Sequence, residues 1–353
     1  MIRAMAFRNL QEVARFVITL GVALILGAII IQLSGREASA AYRALFESAL
    51  GSRLALADSL AVSTPLILTG LATAVAFRTG VFNVGVEGSL YMGAFAAAWV
   101  GFTWPNTPSG LLIPAAILAG GLAGSLWGLI PGTLKAWLDV DEIVTTIMMN
   151  YIAVSFTSYL VNYPFAVPGL ANAMSPMVPS SIHLPRLLPP SQLHAGFILA
   201  LLCALGVGVL FSRTTWGFEF NLQGSNPIFA RWAGVRSPRV ILTAMGLSGF
   251  LGGLAGAFQI LGVHYRFIAN FSPGYGYDGI AIALLGRTTA FGTLVGALLF
   301  GALRNGASGL ELFAGIPLEL VRILEAVIIL MVTAEATIRL KGKKIPISVE
   351  REG

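Results

Sequence analysis

The chain has 353 residues, of which 56% are hydrophobic and only 11% are charged, whereas a typical soluble domain has about 25% charged residues. This balance excludes an ordinary soluble enzyme, and the single cysteine excludes a disulfide framework or a multi-thiolate metal site. The net charge of +6 is typical of basic cytoplasmic loops flanking membrane helices, so the sequence predicts an all-α, polytopic membrane protein with lipid, not nucleic acid, around it.

About ten apolar segments are candidates for membrane spans, each of which needs about 20 residues of helix. The first, 16–33, is longer than the apolar part of a signal peptide, about 7–15 residues, so we interpret it as a retained helix. The others are 59–77, 90–104, 111–130, 143–163, 195–211, 240–263, 277–285, 289–303 and 318–334. The span 277–285 is too short to cross the membrane alone. Residues 36–58 are predicted to form an exposed, partly amphipathic segment.

The distribution of basic residues predicts the orientation of these spans. With the N-terminus inside, fifteen of the 22 lysines and arginines fall on the cytoplasmic side and the rest outside. Ten spans then return the C-terminus to the cytoplasm as well. The proline-rich segment 164–194 becomes an extracytoplasmic loop, which we expect to be extended.

Two short motifs, Gly85-Val86-Glu87-Gly88 and Gly276-Tyr277-Asp278-Gly279, each follow one apolar span and precede another. Five spans separate them, so they enter the membrane from opposite sides, as in an inverted repeat of about 56–163 and 240–338. Glycine beside an acid allows a helix to break, which is tolerated at membrane depth only beside protein or a water-filled cavity. The alternatives are a chance match in a glycine-rich chain or two plain turns.

The segment 213–239 is a cytoplasmic loop that contains the signals of a short helix. Asn226 is a preferred N-cap, Pro227 suits the first helical position, and Gly234 suits the left-handed residue that ends a helix. The predicted helix has two turns, about 10 Å long, and carries its bulky apolar residues on one side. Such a face fits either a groove on a partner protein or the membrane interface, where tryptophan is also common.

Four ordered blocks of the sequence resemble a known family. The loop residues Gly217-Phe218-Glu219, Gly224-Ser225-Asn226-Pro227 and Ala230-Arg231-Trp232-Ala233-Gly234 resemble the coupling-helix region of ABC-importer permeases. Residues 82–88, 141–151 and 272–281 are similar to blocks of the branch for nucleosides and simple sugars. The resemblance covers about residues 56–333 and implies a ten-helix fold like that of type II ABC importers, with an inverted repeat and interrupted helices.

The resemblance also implies partners. These are two ATP-binding subunits, a second permease (a homologous heterodimer partner or a second copy of the chain) and an extracytoplasmic binding protein. The residues that the resemblance assigns to ATPase coupling are Gly224, Asn226, Pro227, Ile228, Phe229, Arg231, Trp232 and Gly234. The chain has no Gly-x-x-x-x-Gly-Lys-[Ser/Thr] motif to cradle ATP, so we expect ATP and Mg on the partner subunit and no cofactor on this chain.

The candidate path residues lie on the fifth span and at the two motifs. Asp141 is a plausible N-cap of that span, and Asn150 lies about 13 Å further along the axis, near the middle of the bilayer. The full set is Asn83, Glu87, Thr145, Thr146, Met149, Asn150, Tyr277 and Asp278. The amides, hydroxyls and methionine could contact a nucleobase or ribose, or could serve interhelical packing, and the acids could line the path or cap helix starts.

The sequence leaves three candidate functions. The first is a permease subunit of an ATP-driven importer for nucleosides or related sugar-containing solutes, in a bacterial inner membrane. The second is an ion-coupled secondary transporter with Glu87 or Asp278 as the ion site. The third, an intramembrane hydrolase or transferase, lacks a nucleophile–base pair: the three histidines are isolated, and Arg322 with Glu325 reads as a structural ion pair.

Overall fold

The computed structural model describes residues 21–314 except 23–24, 30, 34, 36 and 170–171, with side chains described to residue 309. The predicted span 318–334, the pair Arg322 and Glu325, and much of the predicted span 16–33 lie outside these residues. The chain divides into two compact units, one of residues 47–306 and one of residues 1–46 with 307–353. In the smaller unit, Ile31, Ala41 and Ala307 form a buried apolar cluster.

The described residues are almost entirely helical, with two isolated bridges and no strand. The helices are α1 Ala38–Leu50, α2 Arg53–Arg78, α3 Val86–Thr103, α4 Ser109–Leu138, α5 Glu142–Asn162, α6 Gly196–Arg213, α7 Thr215–Ser225, α8 Pro227–Trp232, α9 Ser237–Gln259, α10 Tyr275–Leu285 and α11 Ala290–Ala314. A single π-helical turn, Ile260–His264, continues α9.

Six described helices are long and apolar enough to cross a membrane: Arg53–Arg78, Ser109–Leu138, Glu142–Asn162, Gly196–Arg213, Ser237–His264 and Ala290–Gly309. The short α10 is apolar but has only 11 residues, as its predicted length indicated. The helical, multi-pass class is therefore confirmed, and the count of ten spans stays a prediction.

Two spans form the centre of the larger unit. The apolar windows of α2 and α9 are 83% and 78% buried, whereas those of α4, α5 and α6 are 22–28% buried. A helix that is apolar on all sides and buried on all sides belongs to a core, and one that exposes apolar side chains in a membrane protein faces lipid or a partner. The central pair therefore carries the packing, and α4 to α6 are peripheral.

Glycines allow the close approach of α3, α4 and α9. A Cβ added at Gly253 of α9 would overlap the carbonyl oxygen of Gly120 in α4, and one at Gly93 of α3 would overlap the backbone of Gly253. Lipid provides no hydrophobic push between helices, so close backbone packing through small residues supplies much of the association. The excess of glycine in the sequence serves this three-helix contact.

The segment 213–239 differs from the expected loop with one short helix, because α7 precedes α8. The Thr214 hydroxyl accepts from the Gly217 N–H at 3.1 Å and so caps α7. Threonine is a preferred N-cap residue, so Thr214 is the sequence signal for the start of this helix. The helix α4 also differs from its prediction, since it extends to Leu138 and not to residue 130. Its last turns lie beyond the apolar segment from which the span was predicted. Lys135 in these turns pairs with Asp139 and Glu142.

The segment 164–194 is less extended than expected. It contains a 3₁₀ turn at Ser180–Ile182, and its backbone pairs with residues that follow α9: Val178 N–H donates to the Tyr265 oxygen at 2.9 Å and Leu184 N–H to the Leu261 oxygen at 2.8 Å. The His183 ring stacks on Tyr265 with centroids 3.8 Å apart. Proline prevents a regular element here, and the hydrogen bonds to the neighbouring segment order the chain instead.

Candidate functional site

The first glycine–acid motif lies where the chain breaks between α2 and α3, over residues 79–85. Asn83 is 1% exposed and turns the chain there: its Oδ1 accepts from the Gly85 N–H at 2.8 Å, and its Nδ2 donates to the Ser248 hydroxyl of α9 at 2.8 Å. Freed backbone groups at membrane depth need such partners. Asn83 therefore fixes the break against the central helix α9.

Side chains of α5 satisfy the rest of this break. Asn150, 1% exposed, accepts from the Gly88 N–H at 2.8 Å through Oδ1 and donates to the Val84 oxygen at 2.9 Å through Nδ2. The Thr146 hydroxyl accepts from the Val84 N–H at 3.3 Å. These contacts are the interhelical hydrogen bonds that the sequence left open as an alternative, and direct contact of Asn150 or Thr146 with a solute stays a prediction.

The two motifs meet each other through Glu87. Its carboxylate, in a side chain 4% exposed, accepts from the Gly276 N–H at 2.5 Å and is hydrogen-bonded to Ser272 as well. A Cβ at Gly276 would overlap the backbone of Glu87. Glu87 thus caps the first turn of α10 rather than its own helix, where a carboxylate meets free amides and the positive end of the helix dipole.

The second acid, Asp278, is paired with an arginine that sequence reasoning did not single out. Arg304 of α11 forms an ion pair with the Asp278 carboxylate at 2.5 Å, donates to the Pro273 oxygen at 3.4 Å, and lies 5.3 Å from the ring centre of Tyr275. An arginine inside an apolar helix is costly without a partner, which is the signal that could have identified it.

Four other predicted residues lie at the edge of this site. The predicted N-cap is confirmed, since Asp141 accepts from the Ile143 and Val144 amides at 2.9 and 3.0 Å. The Thr145 hydroxyl donates back to the Asp141 oxygen at 3.0 Å, and the Met149 carbonyl accepts from the Trp127 indole at 3.3 Å. Tyr277, 44% exposed, brings its hydroxyl within 3.4 Å of the Asn150 amide.

The predicted short helix is confirmed as α8. Asn226 Oδ1 accepts from the Phe229 N–H at 3.0 Å, Pro227 opens the helix, and Gly234 follows it with a φ of 85°. Its large apolar side chains point outward: Ile228 is 68%, Phe229 57% and Trp232 87% exposed. A continuous apolar face with no core over it indicates a binding surface.

Close contacts attach this helix to the end of α2 through α7. A Cβ at Gly224 would overlap the Arg78 carbonyl oxygen, and the two glycines Gly80 and Gly224 are neighbours. Arg78 Nε donates to Asn221 Oδ1 at 2.5 Å, and Nη1 donates to the Thr288 oxygen at 3.2 Å. Arg78, which the sequence analysis did not select, therefore links α2, α7 and the segment after α10.

A cavity of about 1200 Å³ opens beside this junction. Its lining includes Lys135, Glu142, Gln223, Arg231 and Arg239. Lys135 bridges Asp139 at 2.8 Å and Glu142 at 3.2 Å, and the ammonium group lowers the pKa of the exposed Asp139 carboxyl. The lining also includes apolar side chains such as Trp137 and Ile241, so the cavity combines charged and apolar groups.

Comparison with known proteins relates this arrangement to transporters. Residues 55–333 match the family described as the branched-chain amino acid transport system permease component. The guanosine ABC transporter permease protein NupP of Bacillus subtilis is 39% identical over 322 residues, 89% of this chain and 90% of that protein. The nucleoside ABC transporter permease protein NupB of Lactococcus lactis is 34% identical over 336 residues, 92% of each chain.

Two further relatives differ in solute and in distance. The glucose ABC transporter permease protein TsgB13 of Haloferax volcanii is 34% identical over 351 residues, 96% of this chain and 90% of that protein. The guanosine ABC transporter permease protein NupQ of Bacillus subtilis is 26% identical over 268 residues, 73% of this chain and 84% of that protein. Two different permeases of one bacterium, named for one solute, are therefore both similar to this chain.

Proposed function

Since the chain belongs to the family of branched-chain amino acid transport system permease components, we propose that it forms the membrane path of an ATP-driven importer for nucleosides or related sugar-containing solutes. The family consists of permease subunits, so the chain is not itself an enzyme. The solute class rests on the relatives, which are named for guanosine, nucleosides and glucose.

The proposed complex lies in a bacterial inner membrane with the N- and C-termini of this chain in the cytoplasm. Two ATP-binding subunits hold ATP and Mg, and an extracytoplasmic binding protein delivers the solute to the segment 164–194. The second permease is a homologue rather than a copy of this chain. The similarity of this chain to both NupP and NupQ supports a heteromeric pair.

The observation that carries the proposal is the exposed apolar face of α8. A six-residue helix capped at both ends holds Ile228, Phe229 and Trp232 away from the rest of the described chain. Burying three such side chains in a groove stabilises a complex by roughly 1.5–3 kcal/mol each, so the face is suited to receive force from a partner. Arg231 lies on the same helix, and Gly224 and Gly234 lie before and after it in the chain.

Force applied to α8 reaches the solute path through named contacts. The push passes directly to Gly224 in the last turn of α7, which touches the end of α2 at Arg78, just before the broken segment 79–85. That segment is held by Asn150 and joined to α10 through Glu87. Movement at α8 can therefore shift the two broken helices relative to each other, which turns a central path from one side to the other.

The ion-coupled alternative would need Glu87 or Asp278 to bind and release an ion. Glu87 instead caps α10, and Asp278 is paired with Arg304. A transporter driven by an ion gradient would also have no use for the exposed α8 face. These contacts favour ATP as the energy source.

Replacing Trp232 tests the proposal. In the reconstituted complex, Trp232→Ala should reduce ATP-dependent guanosine uptake at least tenfold and weaken retention of the ATPase subunit during purification, because an interface tryptophan commonly contributes 2 kcal/mol or more. Trp104→Ala, at the far end of α3, is the control for loss of an exposed tryptophan and should leave both quantities unchanged.

Two results would contradict the proposal. One is a Trp232→Ala complex that retains its ATPase subunit and transports at the wild-type rate. The other is uptake by the wild-type permease that continues without ATP and stops when the ion gradient is collapsed, which would establish the ion-coupled function instead.

A further inference from the structure

The outward face of α5 carries polar side chains that the path residues predicted from the sequence do not include. Tyr151 is 68% exposed, and Ser155, one helical turn further on, is exposed too. Residues four apart share one face of a helix, so the two lie in a polar strip. The buried face of the same helix holds Thr146, Asn150 and Thr157.

The depth of this strip excludes the ordinary explanation for tyrosine in a membrane helix. Aromatic belts place tyrosine at the two interfaces, which suits Tyr159 and Tyr163 at the end of α5, whose rings lie 5.0 Å apart. Tyr151 is the tenth of the 21 residues of α5, about 14 Å from its start, and therefore lies near the middle of the bilayer.

The hydroxyls of Tyr151 and Ser155 have no hydrogen-bond partner among the described residues, in contrast to the threonine hydroxyls of the same helix. The hydroxyls of Thr145, Thr146 and Thr157 each donate to a carbonyl oxygen one turn earlier, and that of Ser158 accepts from the Asn162 amide. An unsatisfied hydroxyl in lipid costs free energy, so Tyr151 and Ser155 need water, a solute or a second protein.

The strip continues into the junction of the two broken helices. Tyr277 of α10 is 44% exposed, and its hydroxyl lies 3.4 Å from the amide of Asn150, the residue that precedes Tyr151. Two tyrosines, Tyr151 of α5 and Tyr277 of α10, are therefore exposed on either side of Asn150 at mid-membrane depth.

We propose that Tyr151, Ser155 and Tyr277 line the water-filled part of the solute path, where Tyr151 stacks on the base of a nucleoside and Ser155 hydrogen-bonds a ribose hydroxyl. This inference rests on the proposed function and specifies the solute as one with an aromatic ring. Stacking of a base on an aromatic side chain is sequence-tolerant and worth about 1–3 kcal/mol. The surface suits a transporter that accepts several nucleosides.

Thiol labelling tests whether water reaches the strip. In a Cys203→Ser background, Ser155→Cys in the assembled transporter should react with a charged, membrane-impermeant methanethiosulfonate at least tenfold faster than Leu205→Cys, and guanosine should slow the reaction. Leu205 is a matched control because it is 65% exposed near the middle of the apolar helix α6. Equal, slow labelling of both variants would place the strip against lipid or the second permease and overturn the proposal.

Uptake tests the stacking partner. Tyr151→Phe keeps the ring and should transport guanosine within about twofold of wild type, whereas Tyr151→Leu should lose about tenfold, the equivalent of a stacking contribution within the usual range. Phe291→Leu, which removes a 77%-exposed ring on α11, should have no effect. Wild-type uptake by Tyr151→Leu would overturn the stacking role.

Failure of the proposed function gives a different result. A wild-type complex that hydrolyses ATP but takes up neither guanosine nor any other nucleoside refutes the nucleoside as solute, and with it the stacking on Tyr151. The labelling ratio of Ser155→Cys to Leu205→Cys still decides whether the strip faces water in that case.

Discussion

Asn150 shows how one side chain can hold open an irregular backbone inside a membrane protein. Its amide satisfies a carbonyl within the break, at Val84, and an N–H in the first turn of α3, at Gly88, and reaches a tyrosine hydroxyl of a second broken helix. No other residue type of this size offers both a donor and an acceptor in one plane without charge. The break between α2 and α3 therefore depends on this position.

Removing that amide should destabilise the protein. Asn150→Ala leaves the Gly88 N–H and the Val84 oxygen without their partner in a site that is 1% exposed, at about 1–3 kcal/mol for each unsatisfied group. We expect a loss of about 2–6 kcal/mol, seen as a lower thermal midpoint of the purified permease. Thr157→Ala is the control, since that buried hydroxyl bonds only within its own helix.

The two variants also separate the roles that the sequence left open for Asn150. A normal thermal midpoint with strongly reduced uptake would make Asn150 a solute contact rather than a support of the break. Reduced stability with uptake that recovers at low temperature would establish the supporting role.

Local contacts were predictable at the residue scale, and long-range contacts were not. The caps Asp141 and Asn226 act on amides two or three residues away, so the sequence alone identifies them. Glu87 reaches an amide 189 residues further along the chain, and Arg304 an acid 26 residues earlier. Such pairs depend on how the helices pack, which no local pattern records.

At the scale of elements, close contacts join α7, and through it α8, to the end of α2. The close approach of Gly224 to the Arg78 carbonyl leaves no room for a side chain at Gly224. The Arg78 side chain also donates a hydrogen bond to Asn221 of α7. A rigid contact of this kind transmits a displacement, whereas a loose one absorbs it. Coupling should therefore be sensitive to this one glycine.

Gly224→Val should uncouple ATP hydrolysis from transport. The added side chain would force α7 away from α2 while leaving the face of α8 exposed for its partner, so we expect ATPase activity near the wild-type level with guanosine uptake reduced at least tenfold. Gly206→Val is the control, because a Cβ at Gly206 of α6 meets no atom within 4 Å. Parallel loss of both activities would indicate misfolding or release of the ATPase instead.

Helix signals explain which elements the sequence identified. The short helix α8 begins and ends with strong caps and was predicted with its ends nearly correct, whereas α7 has a mixed polar and apolar composition and a single threonine cap. The end of α4 was misjudged because the apolar window stops before the helix does, and a basic last turn with Lys135 continues it. Hydropathy locates the part of a helix inside lipid and not the full helix.

At the scale of the molecule, composition determined the class, and packing determined the arrangement. An apolar chain with abundant glycine predicts close-packed membrane helices, and the contact of α3, α4 and α9 through Gly93, Gly120 and Gly253 is such a packing. Which helices occupy the centre could not be predicted, because hydropathy does not rank the helices by burial: the mean hydropathy is 1.8 for α2 and 1.7 for α9 at the centre, and 1.7 for α4 and 2.1 for α6 at the periphery.

The orientation of the whole molecule gives the last prediction. The excess of basic residues predicts that the segment 164–194 lies outside and the end of α4 inside, since positively charged loops are retained in the cytoplasm. The test uses a Cys203→Ser background and cells whose outer layer is permeable but whose cytoplasmic membrane is intact. A membrane-impermeant maleimide added to these cells should label Met177→Cys and spare Leu138→Cys. The two side chains are 53% and 69% exposed, so accessibility within the chain does not decide the result. Lysis should make Leu138→Cys reactive as well. Labelling of Leu138→Cys alone in intact cells would invert the topology, place α8 outside, and remove the route by which cytoplasmic ATP hydrolysis could drive this permease.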